Sequence, residues 1–284
     1  MRSGFKNIAP IALLTLLAIV PLVLGIGYAI AYSFGLTGVL NNGFTLVHWQ
    51  KAFANNDVLL SFGYSILLSL VSILLCVGAA AFLSLYIGER MQQGKLTYII
   101  YLPMAFPALV AAFFFFQFLS SGGFLSRLFF QLGFINNIND FPNLVNDRYS
   151  IGILAAQFFL SLPIFIVLNL SILKNENIAA LKTLAASLGA KRLQIIFKVI
   201  LPLLLKKSFP SIVLFFIFKL GTYEIPLLLG RSSPEVISVI TMRKMQRYNL
   251  LDIPQGYVIA VLYALLVFIL LAVSLKPSKI NMHV

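Results

Sequence analysis

Apolar runs of about twenty residues or more recur along this chain, and each can cross the roughly 30 Å hydrocarbon core of a bilayer as a helix. They cover Ile8 to about Phe34, Val58 to Ile87, Leu96 to Leu119, Ile151 to Leu173, about Ser208 to Gly230, and about Gly256 to Leu275. Hydrophobic residues make up 60% of the 284 and charged residues 10%, against about 45–50% and 25% in soluble domains. The pattern predicts an all-α membrane protein with six transmembrane helices. In the first run, Ala29-Ile30-Ala31 resembles a signal cleavage site. That run is longer than the ~7–15 apolar residues of a signal peptide, so we read it as a retained helix. Cys76 is the single cysteine and lies inside an apolar run, which excludes a disulfide framework. His48 and His283 are too few and too scattered for a metal site.

The net charge of +13 has a membrane explanation before a nucleic-acid one. Six spans put both termini on one side. Of the twenty-one lysines and arginines, thirteen fall on that side and seven opposite, with Lys219 inside the fifth span. The bias predicts cytoplasmic termini, with Lys206 and Lys207 anchoring a helix end at the anionic leaflet.

Several spans are interrupted. Pro103 and Pro107 break the third, Pro163 sits in the fourth, and Lys219, Gly221, Glu224 and Pro226 disturb the fifth. Broken helices persist at membrane depth where they line a cavity or pack within protein. A charge near mid-membrane costs about 2.5–3.5 kcal/mol on insertion scales and needs a partner or a watery cavity. Pro103, Pro107, Pro163, Lys219, Tyr223 and Glu224 are therefore the candidate substrate-pathway residues. The competing reading makes the prolines plain kink formers and Lys219 with Glu224 an ion pair or snorkelling side chains. The portion Phe124 to Phe130 predicts an interfacial helix. Ser233-Pro234-Glu235 predicts the start of a surface helix running to about Tyr248, closed by Asn249 and Pro254.

Residues 174–207, KNENIAALKTLAASLGAKRLQIIFKVILPLLLKK, form the longest polar-flanked segment between two apolar runs. Asn177 can cap a helix whose Ile178, Leu181, Ala185 and Leu188 share a face. Gly189 falls where that helix needs a left-handed residue to stop. A second helix carries Leu193, Ile196, Phe197 and Ile200 on one face and Lys191, Arg192, Gln194 and Lys198 on the other. Pro202 leads into the next apolar run. A helix–glycine–helix knob between two spans suits docking better than connection. The glycine-containing loop Gly88 to Lys95 is no phosphate-binding loop: its glycines are one residue too far apart, and Leu96 stands where Ser or Thr is required.

The knob resembles the cytoplasmic loop of binding-protein-dependent ABC importer permeases, whose pattern is Glu-Ala-Ala, three residues, Gly, nine residues, then Ile-x-Leu-Pro. The matching positions are Thr183, Leu184 and Ala185, then Gly189, then Val199, Leu201 and Pro202, with Leu188-Gly189-Ala190 also matching. Thr183 replaces the family glutamate, and Leu184 replaces the first alanine. Pro103, Pro107, Gln157 and Pro163 are similar to family features of the third and fourth spans. Gly221 to Gly230 is similar to a segment of permeases for polyamines, iron, sulfate, thiamine and phosphonates.

The resemblance implies a type I importer permease fold: a first helix and outer loop over 1–57, a permease core over 58–275 with the coupling loop 174–207, and a cytoplasmic tail over 276–284. It implies a bacterial inner-membrane protein and a small polar or charged substrate such as a polyamine. The implied partners are a second permease subunit, two ATPase subunits, a periplasmic or lipid-tethered binding protein, and membrane lipid, with no nucleic acid. Thr183, Leu184, Ala185, Leu188, Gly189, Ala190, Leu201 and Pro202 would couple to the ATPase. No Walker motif occurs in the chain, so it is not read as an enzyme. It has no cofactor of its own, and ATP with its magnesium would belong to the partner. The alternatives are a secondary transporter or channel working without an ATPase, and a membrane enzyme, which the scarcity of His and Asp disfavours.

Overall fold

The computed structural model describes residues 5–39, 41, 43–54, 56–92 and 96–274. Its helices are α1 (Phe5–Ser33), α2 (Val47–Ala54), α3 (Asn56–Gln92), α4 (Leu96–Tyr101), α5 (Ala108–Leu119), α6 (Phe124–Gln131), α7 (Ile151–Asn175), α8 (Ile178–Ser187), α9 (Arg192–Ile195), α10 (Leu201–Leu220), α11 (Glu224–Leu229), α12 (Ile237–Met245) and α13 (Ile253–Ser274). No strand occurs among the described residues. Among the described residues, six helical stretches are long and apolar enough to cross a membrane: Leu13–Ser33, Asn56–Tyr86, Ala108–Gln131, Ile151–Asn175, Arg192–Leu220 and Ile253–Ser274.

Contacts divide the chain into two units, Met1–Ser61 with Val239–Ile269, and Phe62–Ser238 with Leu270–Val284. The second is held together by a core of Ile73, Cys76 and Ala80 from α3 against Phe165 and Ile166 from α7, with Ile212, Phe215 and Phe216 of α10 packed on it. Ala80 is fully buried in this core. In the first unit, Tyr32 of α1 stacks on Tyr257 of α13 at 4.3 Å, and Phe34 stacks on Trp49 of α2 at 5.4 Å.

Several boundaries differ from those expected. The third run does not form one helix over 96–119. Pro103 and Pro107 donate no backbone hydrogen bond, so a 3₁₀ turn fills Leu102–Ala105 and the crossing stretch starts at Ala108. It runs on through a turn, closed by Gly123 N–H to Ser120 O at 2.8 Å, into α6, the helix expected to be interfacial. The fifth span starts at Arg192 rather than near Ser208, because α9 continues through a π-helical turn, Ile196–Ile200, into α10. There Leu201 N–H bonds Ile196 O, five residues back, and the widened turn takes in Pro202 without ending the helix. Helix α12 begins at Ile237 rather than at Ser233 and ends at Met245. Its first N–H is capped from another helix, by Ser65 Oγ of α3 at 2.8 Å. Pro254, expected beyond a helix end, sits in the first turn of α13, where a missing N–H costs nothing.

Candidate functional site

Two places in the second unit gather the candidate residues. One is the knob. Helix α8 ends at Ser187 with Leu188 as its C-cap, and Gly189 adopts φ +83°. Ala190 N–H reaches back to Ala185 O at 3.1 Å and Gly189 N–H to Ala186 O at 2.9 Å, the paired bonds of a Schellman stop that requires the left-handed residue. Asn177 stands at the other end with φ +46°, and its side chain makes no capping bond, unlike the cap expected. Gln194 Oε1 accepts Lys191 N–H at 2.9 Å and starts α9.

The apolar residues of the knob divide between two faces rather than forming one. Ile178, Ile195, Ile200 and Leu204 are buried together, with Leu181 and Ala185 against them. Leu188 is 87% exposed, Phe197 62%, and Leu184 and Leu193 61% each. The first set anchors the knob to the stems, and the second is left uncovered. A 2.7 Å ion pair, Lys207 to Glu176, joins the two stems at the surface. Between α8 and the start of the fifth span lies a groove of about 500 Å³, with Lys182, Thr183 and Arg192 at its edge and Leu85, Ile195 and Ile200 among its apolar lining. Thr183 donates its hydroxyl to Ala179 O at 3.1 Å, on its own helix. Leu201 is half-buried and Pro202 exposed.

The second place is deep between α3, α7 and α10. Lys219 is 5% exposed. Its ammonium donates to Ser72 Oγ at 2.9 Å, to Ser161 Oγ at 3.0 Å and, more weakly, to Gln157 O at 3.4 Å. All three partners are neutral oxygens. The ion pair with Glu224 weighed from the sequence does not form: Glu224 opens α11 and is exposed. Two partial charges ease this arrangement, since Lys219 sits in the last turn of α10 and Glu224 in the first turn of α11, each complementing its helix dipole. Gln157 Oε1 is buried beside this cluster and has no hydrogen-bond partner among the described residues.

Helix α11 packs on α5 and α7, and the segment between α6 and α7 holds it through Asn146 N–H to Leu229 O at 2.9 Å. Tyr223 precedes it, half-buried. Pro163 is buried within α7, whereas Pro107 is exposed and Pro103 half-buried. The structure therefore gathers Lys219 with Gln157 and Ser161, and leaves Pro103, Pro107 and Glu224 outside that cluster. Sequence reasoning missed Ser72 and Ser161. One signal was available: Ser61, Ser65, Ser69 and Ser72 recur four, four and three residues apart on the second span, and all four are buried.

Comparison with curated proteins finds no significant match. Among solved structures, the fold is similar to a bacterial ABC transporter involved in the import of the acidic polysaccharide alginate. The TM-score is 0.68 and identity 19%, over 97% of this chain and 96% of that one. It is equally similar to a bacterial alginate ABC transporter solved in complex with an alginate pentasaccharide-bound periplasmic protein, with TM-score 0.68 and 18% identity over 95% and 91%. At this identity the likeness establishes the fold, an ABC importer permease architecture. The family model described as the inner membrane component of binding-protein-dependent transport systems matches residues 77–276, most of the chain, and this multi-pass membrane protein belongs to that family, as a permease component of an ABC importer.

Proposed function

We propose that the chain pairs with a second permease subunit to form the substrate pathway, and that its knob, α8 to the start of the fifth span, docks on an ATPase subunit in the cytoplasm. In this reading both termini are cytoplasmic, the core spans 58–275 with the coupling loop at 174–207, and a binding protein delivers substrate from the other side of a bacterial inner membrane. The observation that carries it is the knob itself: α8, stopped by Gly189, and the helical turns that follow leave Leu184, Leu188, Leu193 and Phe197 uncovered. Closing of two ATPase subunits around ATP and magnesium would move the docked helices as rigid bodies and switch the pathway between two packings. The residues in contact would be Thr183, Leu184, Ala185, Leu188, Gly189, Ala190, Leu201 and Pro202.

Gly189 permits a decisive test. A Cβ added there meets nothing within 4 Å in this chain, so Gly189→Trp bears the local strain of a side chain at φ +83°, about 1–2 kcal/mol, and should leave the permease inserted. We expect it to uncouple ATP hydrolysis from transport or prevent ATPase assembly. Normal coupling in that variant removes the docking role.

The substrate is a polar or charged solute. A polyamine fits the resemblance of Gly221 to Gly230, but the buried ammonium of Lys219, whose three acceptors are neutral oxygens, repels a cation and favours an anionic or neutral solute if the pathway opens beside it. Pro103, Pro107, Pro163, Tyr223 and Glu224 remain pathway candidates. Glu224→Gln tests the exposed carboxylate: unchanged substrate-stimulated ATPase activity and transport in the full complex exclude it.

A further inference from the structure

The knob carries an unusual charge pattern. Residues 177–206 hold Lys182, Lys191, Arg192, Lys198 and Lys206 and not one acid. The nearest acid in sequence before it, Glu176, is engaged by Lys207 at 2.7 Å. Lys182 and Arg192 edge the groove of about 500 Å³, and its lining is otherwise apolar apart from Thr183. Thr183 occupies the position facing that groove without offering negative charge, its hydroxyl being spent on Ala179 O. A partner that fits this face must bring apolar surface to Leu184 and Leu188 and negative charge to Lys182 and Arg192.

Resting on the reading that the knob docks on an ATPase, we infer that the ATPase cleft carries an acidic side chain that enters this groove between Lys182 and Arg192, so that docking is steered and selected by charge. Complementary potential across an interface sets partner choice and encounter rate, and like charges reject the wrong partner. An ATPase whose cleft presents a base at this point is excluded by the same face. The occupant is a protein cleft rather than an anionic lipid surface because the knob is presented rigidly. Left-handed residues bound α8 at both ends, Asn177 and Gly189, and the Lys207–Glu176 pair ties its stems. A helix that only rests on headgroups needs neither constraint.

The test uses the permease expressed together with its ATPase and purified through a tag on the permease. Retention of the ATPase is measured at about 0.1 M and about 1 M salt, between which the screening length falls from about 10 Å to about 3 Å. We expect retention to drop severalfold at high salt, and the Lys182→Glu/Arg192→Glu variant to lose about tenfold or more at low salt. Lys182→Gln/Arg192→Gln should fall between. An acid-to-lysine change in the ATPase cleft should restore the reversed variant. Melting followed through the buried thiol of Cys76 verifies that each variant is folded.

Full retention of the ATPase by the folded charge-reversed variant at both salts overturns the inference while leaving docking intact. Normal coupling by Gly189→Trp overturns the docking reading itself. If the reversal leaves ATPase retention unchanged but abolishes stabilisation by vesicles rich in phosphatidylglycerol, the groove belongs to lipid and the inference is wrong.

Discussion

The ammonium of Lys219 sets up a prediction whose size follows from its three hydrogen bonds. Ser72→Ala removes the shortest, at 2.9 Å, and leaves one good acceptor, Ser161 Oγ at 3.0 Å, and one weak one at 3.4 Å. A hydrogen bond to a charged group contributes about 1.5–3 kcal/mol, and losing it strands a buried proton donor. In Lys219→Met the stem still fills its space. The Ser72 hydroxyl can then turn to a carbonyl of its own helix one turn back, so the further change Ser72→Ala should cost below about 0.5 kcal/mol. The double-mutant cycle should therefore show about 1–2.5 kcal/mol of coupling. At about 2–4 °C per kcal/mol this is a shift on the order of 5 °C. Cys76, the chain's single cysteine, is fully buried one helical turn from Ser72, so a thiol-reactive dye in detergent reads the melting of this core directly. Lys219→Met alone should melt no lower than the parent, because a buried charge without a counter-charge is destabilising before it is useful. If Ser72→Ala lowers the melting temperature equally in the parent and in the Lys219→Met background, the contact is refuted.

Other expectations follow from single positions. Gly189→Leu, forced to φ +83°, should cost about 1–2 kcal/mol locally, whereas Gly189→Asn, which tolerates that region, should keep coupling in an ATPase-linked transport assay. Burial lowers the pKa of Lys244 below 10.5, with attraction to Asp252 opposing, and its ammonium donates to Gln255 Oε1 at 2.8 Å. The unfolded chain then binds more protons between the lowered value and 10.5. Stability from this group should rise with pH across that window, and Lys244→Met should flatten the alkaline limb. The single tryptophan, Trp49, lies in the same unit and reports its melting by fluorescence. Gly256→Ala would bring a methyl to 2.8 Å from Met245 Cγ and 3.3 Å from both Met245 N and Thr241 O. The backbone atoms cannot swing aside, so we expect a loss of about 1–3 kcal/mol in the Trp49 transition.

The six spans were legible because a bilayer imposes a length rule that composition alone can meet. Gly189 was legible as a helix stop because the left-handed region nearly names its residue. Span boundaries were less so. Pro202 reads as a break in a linear sequence, yet the π-helical turn at Ile196–Ile200 carries the helix past it. Ser233-Pro234-Glu235 has every mark of a helix start, but the cap that α12 uses is Ser65, 172 residues away.

The partners of Lys219 were beyond the sequence for the same reason. Glu224 is five positions along and invites a pairing, whereas Ser72 is separated by 147 residues. What the sequence determined by itself was local or imposed by the solvent: which runs enter lipid, where α8 stops, and which set of loops carries the positive charge excess. Tertiary structure alone decided which polar groups meet inside the bundle and which apolar residues of the knob turn outward. Helical periodicity puts Leu181 and Leu184 one turn apart on α8, and only the packing of the stems half-buries one and leaves the other uncovered.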